Sequence, residues 1–175
     1  MNLSTEQVYQ LVSEQLRTIG KIAKHFGTSL HHVKPHGALY NMAAKDATLA
    51  NAIAKAVKDF DAQLIFYGLS QSVMIEEAKK LNLKTANEVF TDRTYQSDGS
   101  LTPRTQPNAL ITDEDLALTQ AIRLVRENKI TATSGQMISL KVDTICLHGD
   151  GAHAVTFAKS IFSKLKEENI YVKAI

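Results

Sequence analysis

The chain has 175 residues, of which 44% are apolar and 22% charged, and a formal net charge of +2. This composition excludes a disordered chain. The near balance of 20 Lys and Arg against 18 Asp and Glu, with no massed basic run, gives no support for a nucleic-acid binder. No stretch approaches the roughly 18 uninterrupted apolar residues of a transmembrane helix, so no membrane association is expected, and the length suits one domain over residues 1–175. The opening Met1-Asn2-Leu3-Ser4-Thr5-Glu6 is polar and lacks a signal peptide's apolar core. The single Cys146 cannot form an internal disulfide, so a reducing cytoplasm is the expected location.

Helical and strand periods alternate along the chain. Ser4 with Gln7 three residues on reads as a capping box, and Val8, Leu11, Val12, Leu16 and Ile19 share one helical face. Gly27 fits the stop of that helix. A short strand over about Leu30 to Lys34 is closed by Pro35. A helix over Asp46 to Phe60 carries Leu49, Ile53, Val57 and Phe60 on one stripe, and Gln63 to Tyr67 reads as a buried strand ended by Gly68. A helix over Ser70 to Leu81 and a strand over Leu83 to Val89 follow. The segment from Phe90 to about Ile111, with Asp98-Gly99, Pro103 and Pro107, reads as a long loop, a length unusual outside lids and binding segments. Thr112 is the expected cap of the next helix, with Asp113, Glu114 and Asp115 at its positive end. A small hairpin is expected around Ser134-Gly135, then a strand over Asp143 to Leu147, a helix over Ala152 to Glu167 and a closing strand over Tyr171 to Ile175. No linker or repeat divides the chain. The alternation predicts an α/β fold with parallel strands and outer helices, leaving a barrel and an open doubly wound sheet equally open.

In parallel α/β folds, sites gather at the carboxyl ends of strands. Lys34-Pro35-His36-Gly37-Ala38-Leu39-Tyr40-Asn41 follows the first strand, Asn87-Glu88 closes the third, and His148-Gly149-Asp150-Gly151 follows the fourth. Ionisable groups thus recur on one rim, which points to an enzyme or small-molecule site. Each residue also has a plainer reading. His36 fits an exposed loop, Lys34 a snorkelling side chain, Tyr40 and Asn41 a helix start, Asp150 a helix cap, and Asp92 with Arg93 a local ion pair. Arg104 reads as a solvated loop residue and Cys146 as inert core. No phosphate-loop pattern of the G-x-x-x-x-G-K-[ST] type occurs, and His148 and His153 lack the spacing of a helical metal pair.

The run His32-Val33-Lys34-Pro35-His36-Gly37-Ala38-Leu39-Tyr40-Asn41 resembles the signature of the LamB/YcsF family, to which the A component of 5-oxoprolinase belongs. Glu88-Val89-Phe90-Thr91-Asp92-Arg93-Thr94-Tyr95 with the Asp98-Gly99, Pro103-Arg104 and Ala109-Leu110-Ile111 positions resembles the family's central loop. Cys146-Leu147-His148-Gly149-Asp150 resembles its C-terminal motif. The resemblance implies an irregular, TIM-like parallel barrel of the glycoside hydrolase/deacetylase type. Family members begin with further strands bearing an Asp-rich opening, a His-Ala-Gly-Asp motif and an Ala-His-Pro motif. None is present in this chain, which is therefore expected to be the C-terminal portion of the family domain, a partial barrel prone to self-association.

The function implied by the resemblance is ATP-dependent hydrolysis of 5-oxo-L-proline to L-glutamate, a step of amino-acid metabolism carried out with subunits B and C. ATP with Mg is the expected cosubstrate, and no tightly bound metal is expected. Under that reading His36 or Glu88 serves as general base, and Asp150, grouped with them as catalytic, orients substrate or water. Lys34, Arg93, Arg104, Tyr40 and Asn41 hold the substrate, and His148 orients it or the water. Two alternatives remain at this point: a stand-alone metal-dependent deacetylase-like hydrolase, and a non-catalytic remnant that binds partner subunits.

Overall fold

A computed structural model describes residues 3–149 and 154–175 of the chain. They fall into two compact units, Met1–Asn87 and Glu88–Ile175.

The first unit is laid down by its helices. In α1 (Thr5–His25) the Ser4 hydroxyl accepts from the Gln7 N–H while the Gln7 side chain accepts from the Ser4 N–H, so both halves of the expected capping box are present. Val8, Val12 and Leu16 are buried, whereas Leu11 and Ile19 of the expected stripe are exposed. α1 packs on α3 (Ala47–Phe60), which is capped by Asp46 and buries Leu49, Ile53 and Val57 together with four alanines. Gly20 makes the approach possible, because a Cβ there would lie 2.7 Å from the Phe60 ring. Between these helices come β1 (His32–Val33) and a short helix, α2 (Gly37–Ala43), which holds Tyr40 and Asn41 inside it rather than at its start. β2 (Ile65–Leu69) pairs with β1 in parallel, Val33 opposite Phe66, and α4 (Val73–Lys80) packs against it. Gly68 lies inside β2 rather than ending it. Its missing side chain admits α4, since a Cβ would sit 3.2 Å from Met74 and Ile75. β3 (Lys84–Phe90) follows beside β2.

The second unit begins with residues 88–90 of β3, which pair in parallel with β6 (Thr144–Cys146). Cys146, expected as core, is only half-buried. The predicted loop after β3 is folded on itself, with bridges between Arg93 and Leu110 and between Tyr95 and Leu101. α5 (Glu114–Glu127) is capped by Asp113, whose carboxylate accepts from the Leu116 N–H, so the cap falls one residue after Thr112. β4 (Lys129–Thr131) and β5 (Met137–Ser139) form the expected antiparallel hairpin. α6 (Ala154–Glu167) buries Ile161 and Leu165 against Ala121 of α5, with Leu118, Ile122 and Phe157 around them. The predicted strand over Tyr171 to Ile175 does not form. Those residues are rich in strand-favouring side chains, but Tyr171 and Val172 lie exposed without a partner strand among the described residues.

Three helices stop in the same way. After α1, Gly27 adopts φ +68 while its N–H and that of Thr28 return to Lys24 and Ala23 carbonyls. Asn82 and Leu83 do this for α4, and Asn169 and Ile170 for α6. α5 ends on Asn128, also left-handed. The architecture is α/β with parallel pairing along the main strands and outer helices, the class expected of a partial TIM-like barrel.

Candidate functional site

In the first unit, Lys34-Pro35-His36 leaves β1 at its carboxyl end. Lys34 is half-buried and Pro35 buried. His36 is the extended N-cap residue of α2, with its ring exposed. α2 turns Tyr40 inward and leaves Asn41 on the surface, where its amide donates to the Gly37 carbonyl at 3.1 Å. His32, set aside by sequence reasoning, stacks on Tyr67 of β2 with 4.3 Å between centroids and 22° between planes. β1–β2 register brings the two rings to one face, because Tyr67 lies two residues beyond Ile65, the partner of His32. Asn87 is buried. Its Oδ1 accepts from the Gln71 N–H at 3.2 Å and so fixes the left-handed turn after β2.

The second unit holds a denser polar arrangement. Phe90 pairs with Cys146 across β3 and β6, so residues two further along each chain run level. These are Asp92 and His148, and Asp92 Oδ2 lies 2.6 Å from His148 Nδ1. The imidazole stacks on Phe90, with 5.6 Å between centroids and 22° between planes. Asp92 Oδ1 and Thr91 Oγ1 are buried without a hydrogen-bond partner among the described residues.

The backbone around Asp92 is clamped. Gln120 Nε2 on α5 lies 2.9–3.1 Å from the carbonyls of Phe90, Thr91 and Arg93, the Phe90 N–H donates to Tyr95 Oη at 2.7 Å, and the Ile111 N–H donates to the Asp92 carbonyl at 2.9 Å. Neither Gln120 nor the Asp92–His148 pair was foreseen from sequence. A signal for Gln120 exists: it lies on the stripe of Ala117, Ala121 and Leu124 that α5 buries, a polar residue on an apolar face.

Arg93 is buried, and its guanidinium donates to the Ala109 and Thr102 carbonyls at 3.1 and 2.6 Å. Burial, and then the charge of Arg104, hold its pKa below the ordinary value. Arg104 itself is exposed on a turn. Glu88 is buried in β3, and burial pushes the Tyr95 phenol well up, with Glu88 adding to the effect. Asp150 and His153 lie outside the described residues. His148 lines an open, mainly apolar cleft of about 480 Å³ with Leu147, Val155, Ala158 and Phe162. Among the described residues, no group of three His, Cys, Asp or Glu side chains is placed to hold a metal ion.

Lys34, His36, Tyr40 and Asn41 thus belong to the first unit, and Glu88, Arg93, Arg104 and His148 to the second. The family model of the LamB/YcsF family matches residues 1–175. The chain belongs to the LamB/YcsF family. Its relatives in that family include the 5-oxoprolinase A component of Bacillus subtilis, 52% identical over 175 residues that make up all of this chain and 68% of that protein. The protein of the same name from Tolumonas auensis is 50% identical over all of this chain and 70% of its own length. Among solved structures, a lactam utilization protein from Thermus thermophilus superposes with a TM-score of 0.91 at 39% identity, covering all of this chain and 70% of that one. The parallel α/β class read from the alternation of elements, of the TIM-like type that the LamB/YcsF resemblance implies, is therefore the fold this chain has.

Proposed function

We propose that this chain acts in the hydrolysis of 5-oxoproline, opening a cyclic amide to a free amino acid. The observation that carries the reading is identity of about half, held along the whole chain, with proteins named as the A component of 5-oxoprolinase. The finer proposal is that the chain is a C-terminal portion of one family domain. It works in the cytoplasm with subunits B and C, ATP is consumed, and 5-oxo-L-proline becomes L-glutamate.

A lactam resists water because its nitrogen lone pair is delocalised into the carbonyl. Phosphorylation of the carbonyl oxygen would remove that protection and couple ring opening to ATP. Water then adds to the activated carbon and gives up its proton to a base; the carbon–nitrogen bond breaks as a proton returns to the nitrogen, leaving an acyl phosphate that a second water hydrolyses to glutamate and inorganic phosphate. In this proposal His36 or Glu88 takes the water's proton. Asp150 orients substrate or water, and Lys34, Tyr40, Asn41 and Arg104 hold the substrate carboxylate or phosphoryl oxygens. Arg93 shares that task, and its bonds to the Ala109 and Thr102 carbonyls also shape the loop after β3. His148 orients substrate or water.

The test combines this chain with subunits B and C, 5-oxo-L-proline and ATP, and follows glutamate and ADP. Glutamate release is expected. His36→Ala or Glu88→Gln is expected to lower turnover by about 100-fold or more, whichever supplies the base. An assembled complex that releases no glutamate would remove the activity, leaving subunit binding as the role of the chain.

A further inference from the structure

We propose that Asp92 is a positioning residue that fixes the proton of His148 on Nδ1, leaving Nε2 as the hydrogen-bond acceptor for water or a substrate N–H. The inference rests on the proposed hydrolysis for its kinetic consequence, but its structural content stands apart from the substrate's identity. A carboxylate only accepts hydrogen bonds, so the 2.6 Å contact between Asp92 Oδ2 and His148 Nδ1 requires the proton on Nδ1. In a neutral imidazole the other nitrogen then carries the lone pair.

The geometry around the pair leaves little freedom. Phe90 lies against the face of the ring. The carbonyls of Thr91 and Arg93, on either side of Asp92, both lie within 3.1 Å of Gln120 Nε2. The Asp92 carbonyl is itself bonded to Ile111. A surface ion pair would need none of these supports, and its partners would be free to swing into water. The second carboxylate oxygen is buried and makes no other hydrogen bond among the described residues, so His148 is the hydrogen-bond partner of that carboxylate. The ring also borders the open cleft along α6, which gives a small molecule access to it. The arrangement is that of a base or ligand histidine oriented by a carboxylate, a role that conserves ring tautomer as well as position.

The experiment reads the tautomer directly and the turnover separately. Long-range proton–nitrogen correlation spectra of the 15N-labelled chain, recorded at a pH where histidine rings are neutral, report which ring nitrogen carries hydrogen. His148 signals are assigned by their loss in His148→Gln. The expected result is a proton on Nδ1 in the unsubstituted chain. In Asp92→Asn the amide can donate to Nδ1, so the proton is expected to move to Nε2. In the complex with subunits B and C, kcat is then expected to fall by about 100-fold or more with KM changed less than about threefold. A proton on Nε2 in the unsubstituted chain overturns the proposal even if Asp92→Asn fails to fold. So does an Asp92→Asn complex that turns over normally. If the unsubstituted complex forms no glutamate, the proposed function fails while the ring spectrum still decides the role of Asp92.

Discussion

Two tyrosines show how differently the two units use the same side chain. Tyr9, on α1 in the first unit, donates to Asp59 at 2.9 Å on the surface, and that hydrogen bond is the main reason its pKa lies above the ordinary value. Tyr95, in the second unit, is wholly buried and accepts the Phe90 N–H at 2.7 Å, and its pKa is raised chiefly by burial. The direction is the same and the physics is not. Tyr9 can exchange Asp59 for water at little cost, whereas removing the Tyr95 hydroxyl takes a buried acceptor away from the Phe90 N–H, where water does not replace it. The outer helices of the first unit are held by apolar stripes and local caps. The segment after β3 is held by buried polar contacts between residues far apart in sequence.

Three substitutions test this contrast. Arg93→Met removes the guanidinium from the Ala109 and Thr102 carbonyls and is expected to cost about 3 kcal/mol or more, read as a lowered urea midpoint. A change under about 1 kcal/mol would mean that the segment is held by its backbone alone. Tyr95→Phe is next, with an expected loss of about 1–2 kcal/mol at neutral pH. It also has a pH signature. Below pH 10.0 both folded and unfolded chains keep the phenol proton; above it the unfolded chain releases the proton while the folded chain, with its raised pKa, does not. Stability therefore falls as pH rises past 10.0, and Tyr95→Phe is expected to flatten that limb. The smallest effect belongs to Tyr9→Phe, which is expected to leave the thermal midpoint unchanged within error. A clear loss there would erase the distinction between surface and interior pairing.

The same contrast explains what the sequence disclosed. The helices were legible because their signals are local: Ser4 with Gln7, Gly27 at the stop of α1, and stripes spaced for one face. Within each unit the strand-end positions were legible for the same reason: Lys34 and His36 follow β1, and His148 follows β6. What escaped depends on distant partners. Gly68 looks like a strand end until α4 is seen lying against it. Tyr171 and Val172 look like strand residues, but strand propensity counts only where another strand is available. Asp92 meets His148 across 56 positions and Gln120 meets Phe90 across 30, distances over which no local pattern carries information. Arg93 reads as a ligand-binding charge in sequence, and its bonds to the Ala109 and Thr102 carbonyls add a second task that no local pattern discloses.

The helix stops have a practical consequence. Of the four helices that end on a left-handed residue, only α1 uses glycine; α4, α5 and α6 rely on the exposed Asn82, Asn128 and Asn169. Asparagine tolerates that backbone, but its side-chain amide is among the groups that heat degrades. That loss begins when the next residue's N–H attacks the amide, and after Asn82 and Asn169 this N–H is tied to the Ala78 and Leu165 carbonyls, so the bonds that close these two helices also shield their asparagines from ageing.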